Sequence, residues 1–328
     1  MNAPVLQVDN LCTHFTTPRG VVRAVNGVSF SVGRGEILGV VGESGSGKSQ
    51  TGYSIMGLID APGQIVGGSI RLAGEELRGL SEAQWRRIRG NRIAMIFQDP
   101  MMTLNPVLRI DTQMIEAVLA HRKMSWRAAL DEARAALAQV GIAAPDERLR
   151  AYPHQFSGGM RQRVAIAIAL INRPDVVIAD EPTTALDVTI QAQILGEIQQ
   201  LCSSRGTALI WITHDLSVVA GLVDRVCVMY GGRIVEQGSV DQVLDAPHHP
   251  YTRGLMDSIP SRNPKGQMLR QIPGAPLSLL SAGEGCAFRT RCSRAAPECA
   301  REIPETAGAG GHRFRCVHPI ADAHEEAA

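Results

Sequence analysis

The sequence lacks any apolar run long enough to cross a membrane. A transmembrane helix needs about 20 consecutive apolar residues, and the longest apolar runs, at 164–171 and 209–212, are much shorter. The first ten residues contain neither a basic segment nor an apolar one, so no secretory signal is visible. We therefore expect a chain that stays where it is made and meets a membrane only as a peripheral protein.

Net charge is almost absent as well. The chain has 33 basic and 32 acidic residues, a formal net charge of +1, which provides no field that would attract nucleic acid. We expect no nucleic-acid partner. Hydrophobic residues make up 45% and charged residues 20% of the chain, as in folded globular proteins. A length of 328 residues allows one large domain with an appendage, or two modest domains.

Hydrophobic patterning predicts an α/β fold. Residues 28–32 alternate as in a half-buried antiparallel sheet, and 226–237 fit a hairpin with a tight Gly-Gly turn. Three segments are apolar on both faces, as in parallel strands covered by helices: 37–41, 176–179 and 209–212. Residues 125–140 have helical spacing, carried by Trp126, Leu130, Ala133, Leu137 and Val140. We expect an inserted helical subdomain at about 100–165.

A phosphate-binding loop is predicted at 42–49, which read Gly-Glu-Ser-Gly-Ser-Gly-Lys-Ser. The loop follows a predicted strand and precedes a helical segment, which is the context this motif requires. In such loops backbone N–H groups surround phosphate oxygens, a lysine reaches the β- and γ-phosphates, and a hydroxyl binds Mg²⁺. The expected nucleotide contacts are Gly42, Ser44, Gly45, Gly47, Lys48, Ser49 and Thr51, with Ser49 also a Mg²⁺ ligand.

Two carboxylates end the predicted strand at 176–179. Ligands of α/β sheets bind at the carboxyl ends of the strands, so Asp180 is expected to hold Mg²⁺ from the side opposite Ser49. Glu181 would orient or deprotonate the attacking water. A solvated helix start is the alternative for an isolated Asp-Glu-Pro sequence, and the upstream phosphate-binding loop favours the catalytic interpretation.

Residues 156–160, Phe-Ser-Gly-Gly-Met, resemble the signature motif of ABC-type ATPases. Ser157 can cap a helix whose first N–H groups, left bare by Gly158 and Gly159, point at phosphate. In that family the helix faces ATP bound to a second subunit, so the resemblance implies a dimer with shared sites. Phe and Met replace the commoner Leu and Gln at the ends of the motif, but its Ser-Gly-Gly centre is intact.

Further positions resemble other motifs of the family. Gln98 resembles the glutamine that contacts Mg²⁺ or water, His214 the switch histidine at the γ-phosphate, and Asp187 the loop that crosses the dimer interface. Phe15 resembles the aromatic residue, usually Tyr, that stacks on adenine. The resemblance implies competent hydrolysis of ATP, with catalytic roles for Glu181, His214, Gln98 and Lys48 and metal contacts for Ser49, Gln98 and Asp180.

The resemblance narrows to the ATPases of oligopeptide and dipeptide importers, a group that includes nickel and glutathione systems. It covers essentially the whole chain and is carried by 42–51, 97–106 and 249–255. Together with the shift in composition to Pro, Gly, Ser and Ala from about residue 257, it implies an ATPase domain at 1–256 and a C-terminal extension at 257–328. It also implies ATP and Mg²⁺ as cofactors and a peripheral position on the cytoplasmic face of the inner or plasma membrane.

The implied partners are a second ABC ATPase, two permease subunits and, indirectly, an extracytoplasmic substrate-binding protein. A heterodimer of ATPases is favoured, with a homodimer as the alternative. Peptides are the expected cargo, and nickel, glutathione or another small cargo stays open. Two rivals are a soluble ABC ATPase that takes no part in transport and a nucleotide-binding module without turnover.

Four of the seven cysteines cluster in the extension: Cys286, Cys292, Cys299 and Cys316, separated by five, six and sixteen residues. Structural disulfides are rare in a reducing cytosol, and clustered thiols there more often bind metal. These intervals are wider than in most zinc sites, whereas iron–sulfur clusters tolerate them. The resemblance implies a [4Fe–4S] cluster, as in some relatives, with zinc and free buried thiols as the alternatives.

Overall fold

The computed structural model describes residues 3–183, 188–263, 266, 268, 270–280 and 284–320. Its strands are β1 (Leu6–Thr17), β2 (Gly20–Val32), β3 (Ile37–Val41), β4 (Gly63–Leu72), β5 (Glu75–Glu76), β6 (Ile93–Ile96), β7 (Val176–Asp180), β8 (Ala208–Thr213), β9 (Arg225–Tyr230), β10 (Arg233–Ser239), β11 (Thr306–Ala307) and β12 (Arg313–Phe314). Its helices are α1 (Lys48–Ile55), α2 (Glu82–Ile88), α3 (Pro100–Thr103), α4 (Ile110–Leu119), α5 (Trp126–Gln139), α6 (Pro145–Leu149), α7 (Gly158–Leu170), α8 (Val188–Arg205), α9 (Leu216–Val219), α10 (Val240–Asp245) and α11 (Pro250–Asp257).

The chain forms two compact units. The first comprises 1–5, 32–36 and 79–211, and the second comprises 6–31, 37–78 and 212–328. The phosphate-binding loop, Phe15, His214 and the clustered cysteines therefore belong to the second unit. Gln98, the signature motif and the Asp180–Glu181 pair belong to the first.

The second unit contains an antiparallel sheet in the order β2-β1-β4-β5. In β2 the side chains of Val28, Phe30 and Val32 are buried and their neighbours are not, as the alternation predicted. Phe15 of β1 lies opposite Gly63 of β4. A Cβ on Gly63 would lie 2.5 Å from the Phe15 ring, so only glycine leaves the ring its place.

A second sheet in the same unit runs in the order β11-β12-β10-β9-β3. Strands β3 and β9 are parallel, while β9 and β10 form the predicted hairpin. Gly231 and Gly232 of its turn have φ of 57° and 79°, the positive values that a primed two-residue turn requires. The loop from β3 to α1 starts at the carboxyl edge of this parallel pair.

The first unit contains the parallel pair β6 and β7, with Ile96 opposite Ala179, and a bundle of helices that includes α5 and α7. All five residues of β7 are buried, which matches the predicted strand covered on both faces. The predicted α/β class with mixed sheets is confirmed. No described helix is both long enough and apolar enough to span a bilayer.

Candidate nucleotide-binding and catalytic site

The loop between β3 and α1 has a backbone that depends on glycine. Gly42, Gly45 and Gly47 have φ of 151°, 78° and 102°, values that other residues rarely adopt. A Cβ would lie 2.2 Å from the carbonyl oxygen of Met229 at Gly42, and 2.2 Å from that of Ala24 at Gly47. At Gly45 it would meet nothing within 4 Å. The loop is thus packed against its own unit at both ends and open in the middle.

Lys48, the first residue of α1, folds back over this loop. Its ammonium donates to the carbonyls of Gly42 at 2.8 Å and Glu43 at 3.0 Å, and the residue is only 5% exposed. The Thr51 hydroxyl donates to the Gly47 carbonyl at 3.0 Å, whereas Ser44 lies exposed on the loop. The expected phosphate-contacting residues are therefore brought together around one loop.

A phosphate group fits this loop on two counts. The buried hydroxyl of Ser46 has no hydrogen-bond partner among the described residues, and buried polar groups normally have one. The backbone on the open side of the loop is bordered by Gly45, where no side chain fills the space. For Mg²⁺, the Ser49 hydroxyl next to the loop is a hard oxygen ligand of the kind that this ion prefers.

Gln98 and Glu181 are brought together at the carboxyl edge of the first unit's parallel pair. Gln98 follows β6 and Glu181 follows β7, and the amide of Gln98 donates to the Glu181 carboxylate at 3.2 Å. Glu181 has φ of 44°, an uncommon conformation for a residue with a side chain. Such conformations cost free energy and concentrate at functional sites. Asp180, at the end of β7, is 1% exposed.

The signature motif starts α7. The Ser157 hydroxyl accepts a hydrogen bond from the N–H of Met160 at 3.3 Å, so this serine is the N-cap. Ser157 and Gly158 are exposed, and a Cβ on Gly158 would meet nothing within 4 Å. Phe156 is buried and anchors the motif. The first N–H groups of α7 are therefore accessible to an anion.

For two other predicted site residues, the structure shows the position and the exposure of the side chain. His214 follows β8 and its side chain is exposed. Phe15 is partly exposed on β1, as a residue that stacks on a base must be. Asp187 lies outside the described residues.

The four clustered cysteines do not form the predicted metal site. All are free thiols, and no group of three or more His, Cys, Asp or Glu among the described residues is arranged to hold a metal ion. Burial, reinforced by the neighbouring cysteines, raises the pKa of Cys286 and Cys292, and it raises that of Cys316 to about 11. The expectation of a Cys-rich, iron–sulfur extension is therefore not supported, nor is zinc.

Sequence reasoning missed two residues that contact the loop at Glu43. The N–H of Glu43 donates to the Tyr251 hydroxyl at 2.8 Å, and the Glu43 carboxylate accepts two hydrogen bonds from Arg291. Tyr251 lies in the stretch 249–255, which resembles the ATPases of peptide importers but indicated no contact with the loop. Arg291 carries no motif, so nothing in the sequence indicated its contact with a residue 248 positions earlier.

Three features define an ATP-binding cassette. They are a glycine-dependent loop between a parallel strand and a helix, a buried strand with Asp-Glu at its carboxyl end, and a helix capped by Ser-Gly-Gly. Comparison with known protein families supports this assignment, since the family model for ABC transporters matches residues 25–184. A second model, for the C-terminal region of oligopeptide/dipeptide transporters, matches 235–299.

Similarity to characterised relatives extends over nearly the whole chain. The oligopeptide transport ATP-binding protein OppD of Escherichia coli K12 is 46% identical over 318 residues, which cover 97% of this chain and 94% of that protein. The dipeptide transport ATP-binding protein DppD of Bacillus subtilis 168 is 49% identical over 314 residues, 95% of this chain and 94% of the relative. The solved dimeric cassette MJ0796 has 26% identity and a TM-score of 0.65, and covers 72% of this chain and 98% of that one. The chain belongs to the family of ATP-binding subunits of oligopeptide and dipeptide ABC transporters, and it is an ATPase.

Proposed function

We propose that this chain hydrolyses ATP to power import of di- and oligopeptides through a separate pair of permease subunits. The observation that carries the proposal is the similarity along 97% of the chain to a protein named for oligopeptide transport. The match of residues 235–299 to the C-terminal region of oligopeptide/dipeptide transporters supports the same cargo class. Nickel, glutathione or another small cargo is the alternative.

In the proposed mechanism the chain binds and orients ATP rather than reacting with it covalently. The loop N–H groups and Lys48 hold the β- and γ-phosphates. Ser49 and Asp180 are the residues that would hold Mg²⁺, and the ion would neutralise phosphate charge when bound. Glu181 accepts a proton from the water whose oxygen attacks the γ-phosphorus. The bond from that phosphorus to the oxygen bridging the β-phosphate breaks, which gives ADP and phosphate. Gln98, hydrogen-bonded to Glu181, keeps that carboxylate in place, and His214 contacts the γ-phosphate.

We further propose that the working unit contains two ATPase chains. The accessible N-terminus of α7 supports this, because its Ser-Gly-Gly start can receive the γ-phosphate of ATP held by a second subunit. The similarity to a cassette described as dimeric supports it as well. A partner ATPase of related sequence is favoured over a second copy, and Asp187 would lie at their interface.

The proposed permease contact uses the helical region of the first unit. Met101 and Val107 are exposed there to 40% and 75%, in the segment that follows Gln98. Apolar side chains exposed in one segment are available to a protein partner. The contact would connect the glutamine at the carboxyl edge of β6 to the permease, and would place the chain on the cytoplasmic face of the membrane.

The test is uptake of a labelled dipeptide and a labelled longer peptide by source cells that carry Lys48→Ala at the native locus. We expect both uptakes to fall to background, since the variant loses the ammonium that reaches the phosphates. Lys123→Ala, at an exposed lysine outside the loop, is the matched control. Unchanged peptide uptake in Lys48→Ala cells would contradict the peptide cargo, and the same cells would then be assayed for nickel and glutathione uptake.

A further inference from the structure

Glu43, the second residue of the phosphate-binding loop, is held at three points. Its N–H donates to the Tyr251 hydroxyl at 2.8 Å, and its carbonyl accepts from the Lys48 ammonium at 3.0 Å. Its carboxylate accepts from both terminal nitrogens of Arg291, at 2.6 Å and 3.0 Å. The general pattern of the loop leaves this position unspecified. The carboxylate contact is therefore a feature of this chain and not a requirement of phosphate binding.

Arg291 is itself fixed from several sides. Its Nε donates to the carbonyl of Pro273 at 2.8 Å, and Nη1 also donates to the Tyr230 hydroxyl at 3.3 Å. Its guanidinium lies 5.8 Å from the ring centres of Tyr230 and Phe288, close enough for cation–π attraction. The side chain is 3% exposed. A buried guanidinium with a bidentate carboxylate partner and two further hydrogen-bond acceptors is strongly restricted in its orientation.

The rings around Arg291 form a cage. Tyr230 and Tyr251 lie 4.6 Å apart between ring centres, and Phe288 lies 5.4 Å from the first and 5.3 Å from the second. This cage takes two of the four tyrosines of the chain. It joins the end of β9, helix α11 and the short helical turn Ala287–Thr290. Helix α11 and the turn at 287–290 are thereby connected to the loop through packed aromatic side chains.

We propose that Arg291 is a positioning residue for the phosphate-binding loop, through which the C-terminal region sets the affinity of this chain for ATP. The proposal rests on the ATP-binding role proposed above for the loop. Arg291 touches no phosphate in this mechanism. It acts through the carboxylate of Glu43, which restrains the backbone of its own residue and of its neighbours Gly42 and Ser44.

The physical reason is preorganisation. Three glycines of the loop sit at positive φ, and glycine loses the most conformational freedom on ordering. A loop already held in its binding shape loses less entropy when ATP arrives, which strengthens binding. Without Arg291 the loop would sample other shapes, so the affinity for ATP should fall. The proton of the attacking water is accepted by Glu181 in the proposed mechanism, and none of the hydrogen bonds of Arg291 involves Glu181, so kcat should change much less.

The experiment compares Arg291→Met, Arg291→Lys and Glu43→Gln with wild type, measuring KM and kcat for ATP, the Kd of a non-hydrolysable ATP analogue, and Tm. For Arg291→Met and Glu43→Gln we expect KM and Kd to rise at least about tenfold, the typical effect of losing a charge-assisted hydrogen bond. Arg291→Lys should recover only part of the loss, because an ammonium cannot form the bidentate contact. Arg294→Met, at an exposed arginine of the same region, is the matched control.

The double variant decides between positioning and general stabilisation. If Arg291 acts through Glu43, then Arg291→Met should add little to KM in a Glu43→Gln background. Additive effects, or a fall in Tm with unchanged Kd, would overturn the proposal. Should Arg291→Met fail to fold, wild-type affinity in the Glu43→Gln variant would overturn it equally. Lys48→Ala separates the positioning role of Arg291 from the ATP-binding role of the loop. Retained ATP binding in Lys48→Ala would contradict the ATP-binding role of the loop itself.

Discussion

Glu181 is the proposed general base, and its backbone adopts an uncommon conformation. Its φ of 44° and the 3.2 Å hydrogen bond from Gln98 fix a carboxylate at the end of β7. Replacement by glutamine preserves the size of the side chain and removes the acceptor for the proton of water. The residue is therefore well suited to a test of the proposed chemistry.

For Glu181→Gln we expect ATP hydrolysis to fall by about 10²- to 10⁴-fold, the usual contribution of a general base. ATP binding should persist, so an ATP-bound dimer should accumulate with the partner ATPase. Phosphate release measures the first effect and light scattering on a sizing column the second. The control is Glu116→Gln, the same change at an exposed carboxylate on α4. Hydrolysis at the wild-type rate would remove Glu181 as the base.

Helix α11 illustrates how an element can carry a pH dependence. Its N-cap is His249, whose Nδ1 accepts the N–H of Tyr251 at 3.1 Å. Burial lowers the pKa of His249 to about 4, against the opposing effect of the buried Glu236 carboxylate. That carboxylate accepts the N–H groups of His248 at 2.6 Å and His249 at 3.1 Å, and contacts Nε2 of His312 at 2.8 Å. The cap thus requires a neutral imidazole.

The sign of the effect follows from the depressed pKa. In the unfolded chain a histidine takes up its proton near pH 6.5, whereas folded His249 does so near pH 4. Stability is therefore fully present above about pH 6.5 and is lost as the pH falls toward 4. Between pH 7 and pH 5 this group alone should cost about 2 kcal/mol of the free energy of unfolding.

His249→Asn should flatten the dependence of the unfolding free energy on pH in this window, because asparagine caps a helix without titrating. Denaturant unfolding at pH 7 and pH 5 measures the slope, and slopes are compared because the substitution also changes packing. His154→Asn, at an exposed histidine, serves as the control. Equal slopes in the His249 and His154 variants would rule out this histidine as the source.

Helix α5 shows what hydrophobic periodicity does not predict about a single helix. The spacing correctly predicted a helix near 125–140, and Ser125 caps it. The predicted apolar face included Trp126, yet this residue is 53% exposed, while Ala129, Ala133 and Leu137 are buried. Periodicity defines a stripe, but the positions of α4, α6 and α7 decide which part of that stripe is covered.

For the whole molecule, the proposed permease contact makes a prediction that separates transport from hydrolysis. Val107→Glu places a charge on a side chain that is 75% exposed, so folding and basal ATPase activity should change little. Peptide uptake should fall strongly because the apolar contact with the permease is lost. Val66→Glu, on the sheet of the second unit and 52% exposed, provides the matched control. Normal uptake with Val107→Glu would place the permease contact elsewhere.

The sequence by itself determined the α/β class, the strands at 37–41 and 176–179, and the phosphate-binding loop. It could do so because these features depend on local chemistry: strands buried on both faces need continuous apolar residues, and positive φ needs glycine. Only the tertiary structure decided the contacts made between distant segments. It brought Gln98 to Glu181 and Arg291 to Glu43, and it left the four cysteines without the geometry of a metal site. No local sequence pattern predicts such contacts, because the residues are far apart in the chain and meet only when the chain has folded.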